Sequence, residues 1–160
     1  MNSRSGNPGE AAVLNAFVQR RLSVLLPFGE GHPYDLVVAI ENAFLRVQCK
    51  TAWENRGCVV FNAYATDHGR GQVSYVGRAD AFGVYFPPGD TVYVVPVGAS
   101  RSEMRLRMDP ARNNQRRRVR LAVEYEIDSW TPGALFALAS RAGTQTHEPA
   151  GPIRGIHIRT

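Results

Sequence analysis

Apolar positions recur at helical spacing near the start of the chain and at strand spacing further on. Val13, Leu14, Phe17 and Val18 form a stripe with the i, i+4 recurrence of a helix. Asn7 suits the N-cap, Pro8 the first helical position, and Glu10 falls three residues after the cap, so a helix is expected over 7–22. Ser23 to Leu26 is a short apolar run stopped by Pro27, and the turn residues of Phe28-Gly-Glu-Gly-His-Pro33 make a loop.

Three strands are expected next. Tyr34 to Ile40 is almost wholly apolar, as a buried strand would be. Glu41-Asn42 makes a tight turn into Phe44 to Thr51, and Arg56-Gly57 precedes Cys58 to Tyr64, so the three read as a meander. Thr66 to Ser74 is polar and glycine-rich and reads as a mobile loop. Arg78 to Phe86 reads as a strand or a short helix-to-strand passage, and strands are further expected in Thr91 to Val97, after the turn Pro87-Pro88-Gly89-Asp90, and in Met104 to Met108. Leu121, Val123 and Tyr125 alternate at the end of a basic stretch, Gly133 to Arg141 suits a short helix, and the final residues read as flexible. This order implies an α/β (α+β) fold around a mixed central sheet, with a domain over 1–130 and a C-terminal extension over 131–160.

Composition narrows the function. The chain has 160 residues, 44% of them hydrophobic, enough for a real core. It has no apolar run of about 18 residues and no apolar signal segment at its start, so no membrane association and a cytoplasmic location are the default expectations. Cys49 and Cys58 match neither a disulfide framework nor a zinc pattern, and Cys49 reads as a small core residue. The net charge of +5 favours a polyanionic partner. Eight arginines against two acids lie between Arg101 and Arg120, so the basic footprint is local.

One strand carries candidate chemistry. Along Phe44-Leu-Arg-Val-Gln-Cys-Lys50, Leu45, Val47 and Cys49 share an apolar face, while Arg46, Gln48 and Lys50 share the other. The turn at Glu41-Asn42 sets Ile40 near Ala43 or Phe44 and therefore Asp35 near Gln48 or Lys50. Hard oxygen donors of this kind suit Mg²⁺, and an adjacent ammonium suits phosphodiester hydrolysis. Lys50 is the sole lysine beside eighteen arginines. A random placement would put it at this position about once in nineteen. A site that needs a compact ammonium of adjustable pKa accounts for the exception.

Asp35-x12-Gln48-x-Lys50 resembles the core of the PD-(D/E)xK nucleases. Pro33-Tyr-Asp-Leu-Val-Val38 and Leu45-Arg-Val-Gln-Cys-Lys-Thr51 are similar to the branch holding the intron-encoded homing endonucleases and their small relatives. So are Tyr75-x-Gly77-x-x-Asp80, Val92-Tyr-Val-Val-Pro-Val97 and Arg112-Asn-Asn-Gln115. The resemblance spans about residues 7–127. It implies a restriction-endonuclease-like core, Mg²⁺ (or Mn²⁺ in its place), DNA as substrate and a homodimer or homotetramer. Asp35, Gln48, Lys50 and Glu10 would form the catalytic centre, with Asp35, Gln48 and Glu10 on the metal. Two departures stand out. Pro33 lies two residues before Asp35, and Gln48 replaces an acid, which leaves the metal short of charge and makes Glu10 necessary.

Arginine pairs with guanine and Asn or Gln with adenine, and both serve phosphates, so Arg112, Asn113, Asn114, Gln115, Arg116 and Arg117 are expected on DNA. Arg70, with His68 and Arg78 nearby, would add backbone contacts, and Tyr75 is expected to pack. A site-specific double-strand endonuclease is the first reading. A Holliday-junction resolvase shares its chemistry, and a non-catalytic DNA-binding descendant is the alternative of another class. No stacking motif of the usual RNA modules is present.

Overall fold

The computed structural model describes residues 7–67, 69–98, 102–110 and 119–142. The expectations for His68, for Arg112, Asn113, Asn114, Gln115, Arg116 and Arg117, and for the tail from 143 onward lie outside those residues.

Helix α1 spans Pro8–Gln19. Asn7 caps it from an extended conformation, its Oδ1 accepting from Gly9 N at 3.0 Å, and Pro8 supplies the first turn. It stops short of residue 22 because Arg21 turns into the left-handed region at φ 59°, and Leu22 N donates back to Phe17 O. The chain then lays down β1 (Ser23–Leu25), β2 (Leu36–Ile40) and β3 (Ala43–Thr51) as antiparallel neighbours. The insert after β3 holds β4 (Trp53–Asn55), β5 (Cys58–Asn62), β6 (Tyr64–Asp67) and β7 (Gly71–Ser74). The chain then returns as β8 (Ala81–Phe86) and β9 (Thr91–Pro96), continues through β10 (Glu103–Arg107), and ends its described part in α2 (Pro132–Ala142).

The main sheet has the order β1-β2-β3-β8-β9, with β8 parallel to β3 and the other pairs antiparallel. This is the mixed sheet of an α/β, restriction-endonuclease-like core. Both helices lie on one face of it, where Val13 and Phe17 of α1 and Leu135 and Ala139 of α2 cover Leu36, Val38, Leu45, Val47 and Val94. The other face carries a second core: Phe82, Val84 and Phe86 of β8 meet Val59, Phe61, Met104 and Leu106 of a three-stranded sheet ordered β10-β5-β4. The expected boundary at residue 130 falls just before α2, whose buried side chains join the first core.

The expected meander is corrected. Cys58–Asn62 does not flank β3, because β8 holds that position. Ala52 N donates to Tyr85 O at 2.8 Å, and beyond it the strand leaves the main sheet, so the turn at Arg56-Gly57 pairs β5 with β4 instead. Ala81–Phe86 is buried at five of six positions, as a strand covered on both faces must be. The expected loop over Thr66 to Ser74 is corrected too: Tyr64–Asp67 and Gly71–Ser74 pair as a two-stranded ribbon. Its described residues are exposed or half-buried, so burial writes no apolar alternation into the sequence. Of the alternating residues, Leu121 and Tyr125 bracket a 3₁₀ turn at Ala122–Glu124, and Val123 lies within it, exposed.

Gly83 sets the distance of α1 from the sheet. A Cβ there would lie 2.5 Å from Val13 Cγ1 and 3.0 Å from Val47 Cγ1, both fully buried. Gly83→Ala is therefore expected to cost about 1–3 kcal/mol of stability, read by denaturant unfolding. An unchanged midpoint would show that the helix can ride higher without loss.

Candidate active site

Asp35 N donates to Val47 O at 2.9 Å, and Leu36 pairs with Val47, so Asp35 stands directly across from Gln48. Asp35 Oδ2 accepts from Cys49 N at 2.7 Å and from Gln48 Nε2 at 2.6 Å. The Gln48 amide nitrogen also lies 3.3 Å from Cys49 O. The positive end of the amide thus sits between two oxygens. Gln48 and Lys50 occupy the face that bears the second core, opposite Phe82 and Val84 of β8.

Lys50 is half-buried, and its Nζ donates to Tyr64 O and to the Tyr75 hydroxyl, each at 3.2 Å. An ammonium has three N–H bonds, so one is left to offer. Burial pushes the Lys50 pKa down, and the charge of Asp35 opposes that shift. Burial likewise pushes the Asp35 carboxyl up, against the Cys49 N–H and the charge of Lys50. Each group is thus short of compensating charge.

The first turn of α1 brings Glu10 to a pocket that Asp35 also lines. Gly9 is buried so closely that a Cβ would come within 2.3 Å of Thr51 Oγ1, which brings the first turn of the helix onto the end of β3. Glu10 is half-buried and lines a pocket of about 240 Å³ with Asp35, Tyr34, Glu30 and His32. The cap bond is made by Asn7 to Gly9 N, and among the described residues no hydrogen bond engages the Glu10 carboxylate. Burial first, then the charges of Asp35 and Glu10, raise the Cys49 thiol well above its usual pKa, which suits a core residue and not a nucleophile.

Arg46, on the same strand face, is spent elsewhere. Its Nε and one terminal nitrogen bind the Asp80 carboxylate at 3.1 and 2.8 Å, its backbone N binds it at 2.7 Å, and the other terminal nitrogen reaches Gly77 O. The Asp80 side chain is only 5% exposed. Asp80→Ala is expected to cost about 2–3 kcal/mol in unfolding experiments, because it leaves the Arg46 N–H groups unpaired. A loss under about half a kcal/mol would mean that water replaces the pair.

Sequence reasoning missed two elements. Tyr75 does pack, edge-on against Phe82, but its hydroxyl also binds Lys50, and Glu30 stands at the pocket's rim. The spacing Tyr75-x-Gly77-x-x-Asp80 was the available signal, yet the partner of Tyr75 is 25 residues away in sequence. Arg70 is exposed in the turn of the β6–β7 ribbon, away from the centre at its base. Arg105 and Arg107 are exposed on β10, and Arg107 N donates to Arg120 O, which anchors both ends of the basic segment between them.

The PD-(D/E)XK endonuclease family matches residues 1–128. The chain belongs to that family. It is accordingly a nuclease acting on DNA. The solved structure of a bacterial homing endonuclease, I-Ssp6803I, superposes with a TM-score of 0.61, at 22% identity, over 90% of this chain and 99% of that one. This likeness establishes a common fold. No curated protein matches the chain. No helix among the described residues is long and apolar enough to cross a membrane.

PD-(D/E)XK endonucleases generally use a divalent metal. Among the described residues, no three His, Cys, Asp or Glu side chains are close enough to hold one. Asp35 and Glu10 line one pocket, and the Gln48 amide lies against Asp35. The Gln48 amide nitrogen occupies a gap between Asp35 Oδ2 and Cys49 O, two oxygens that would otherwise suit a cation. Turning the amide over and drawing it back would present its oxygen, a hard donor, to an ion in that gap.

Proposed function

We propose that this PD-(D/E)XK endonuclease cuts both strands of DNA at specific sites, using a divalent metal held by Asp35, Gln48 and Glu10, with Lys50 at the attacking water. The observation that carries this reading is the convergence of Asp35, Gln48 and Lys50 at one end of β3. Bound there, Mg²⁺ would acidify a water and neutralise charge on the phosphate. The chain's own groups do the rest. The carboxylate of Asp35 and the amide oxygen of Gln48 would hold that ion against the scissile phosphate, and Glu10 would add the second negative charge. The free N–H of Lys50 holds the attacking water or stabilises negative charge as the P–O bond to the leaving oxygen breaks. The exposed arginines of β10 suit a polyanion, and residues 112–117 would add to that basic surface.

Site specificity is supported by the shared fold with a bacterial homing endonuclease. One centre per chain means that cutting both strands takes two copies, most simply a two-fold dimer, or a tetramer built from two. The Gln48–Asp35 hydrogen bond favours a second reading, since it satisfies the centre without any metal: a DNA-binding protein that no longer cuts. Incubating duplex DNA libraries and four-way junctions with the protein, in Mg²⁺, Mn²⁺ or EDTA, separates these. Metal-dependent breaks at recurring sequences are expected. Selective junction cutting would replace the site-specific reading, and binding without breaks in either metal would leave the non-catalytic one.

A further inference from the structure

The root of the β6–β7 ribbon grips Lys50 from both of its strands. Tyr64, the first residue of β6, gives its carbonyl, and Tyr75, directly after β7, gives its hydroxyl. Tyr64 pairs with Ser74, so the two partners stand side by side at the base of the ribbon. The Lys50 ammonium also lies 4.8 Å from the centre of the Tyr75 ring, within cation–π range. Tyr75 is itself fixed. It is 6% exposed, its ring meets Phe82 edge-on at 5.5 Å, and Phe82 meets Phe61 at 5.5 Å in the second core. Its carbonyl accepts from Arg78 N and Ala79 N, which locks the turn that follows.

A hydrophobic filler needs no hydroxyl, and an ammonium in water needs no cradle. A lysine has four rotatable side-chain bonds, and holding its tip costs entropy that a catalytic group must have met before the substrate arrives. We propose that Tyr75 is the positioning residue of Lys50: its hydroxyl, at the edge of a ring fixed in the second core, holds the ammonium at the metal-facing end of β3 and so sets the rate of strand cleavage without touching DNA. This rests on the assignment of Lys50 in the proposed function.

Lys50 is the sole lysine, so labelling with ¹³C-lysine yields one resolved ε-methylene signal. In the full-length wild type its two protons are expected to be inequivalent and shifted by the Tyr75 ring current. In Tyr75→Leu they should collapse to the position of a free lysine. Tyr75→Phe keeps the ring and its contact with Phe82 but removes the hydroxyl. It is expected to retain the wild-type melting temperature and the wild-type affinity for DNA in Ca²⁺. Its single-turnover cleavage rate in Mg²⁺ should fall roughly tenfold to a hundredfold. In a Lys50→Ala background, the same change should add no further loss.

Wild-type cleavage by Tyr75→Phe would overturn the proposal. So would a lysine signal that is the same in wild type and Tyr75→Leu. If Lys50→Ala cuts at the wild-type rate while the lysine signal reports the ring contact, the catalytic assignment of Lys50 has failed, although the contact exists. If Lys50→Ala is inactive and Tyr75→Phe is not, only the positioning role has failed.

Discussion

Replacing Lys50 by alanine is expected to slow DNA cleavage by about a hundredfold to ten-thousandfold and to leave DNA binding within about twofold of wild type. The ammonium is half-buried and makes two hydrogen bonds among the described residues, which leaves a third N–H for a water or a phosphate oxygen. Removing it withdraws positive charge at the point where negative charge develops in the transition state, so the loss falls on the rate and not on affinity. Arginine should not rescue the variant. Its guanidinium is broader, presents its donors in a plane and does not fit two acceptors spaced for a compact ammonium. Stability should hold or rise, because burial already disfavours this charge. Single-turnover cleavage and equilibrium binding in Ca²⁺ separate the two effects. Equal losses in both would make Lys50 a DNA-binding residue.

Asp35→Asn is expected to reduce cleavage by about a thousandfold or more, while the metal-free protein becomes more stable by about 0.5–2 kcal/mol. The cause is the same desolvation that raises the Asp35 pKa. Its sign in the wild type can be worked out. A carboxyl with a raised pKa binds its proton more tightly when folded, so between about pH 4 and its raised folded value, stability falls as pH rises. For Lys50, lowered when folded, the folded chain binds fewer protons between its lowered value and about pH 10.4, and stability rises with pH across that window. At neutral pH both groups therefore carry an electrostatic burden, and a bound divalent cation would relieve the part due to Asp35. Mg²⁺ should raise the melting temperature of the wild type and leave Asp35→Asn unmoved. An Asp35→Asn protein that melts lower than wild type without metal would show that the carboxylate is well compensated as it stands.

The hairpin that brings Asp35 to Gln48 was legible because a two-residue turn and period-two alternation together fix a register. Leu45, Val47 and Cys49 are buried as expected, so the polar face followed directly. What could not be read was the far side of that face. Phe82 and Val84 are apolar on a strand covered from both sides, and such a run carries no mark of which layer each side chain enters. The alternation marks Gln48 and Lys50 as one polar face and is silent on what covers it; they stand at the margin of a second core. The departure of the chain at Ala52 was equally silent, since Thr51-Ala-Trp-Glu continues as extended structure and only the pairing changes. Tyr75 illustrates the remaining limit. Its packing role followed from its residue type, but its hydrogen bond to Lys50 depends on a ribbon whose polar strands left no apolar pattern to read.

The metal centre is tested most directly by a crystal structure of the protein with duplex DNA and Ca²⁺, which marks ligands without supporting rapid cleavage. An ion is expected roughly 2.3–2.6 Å from oxygens of Asp35 and Gln48, with the Gln48 amide turned over from its present hydrogen bond and Glu10 drawn onto the ion directly or through water. Gln48 Nε2 still bound to Asp35, with DNA in place and the ion absent or elsewhere, would contradict a metal centre built on these residues.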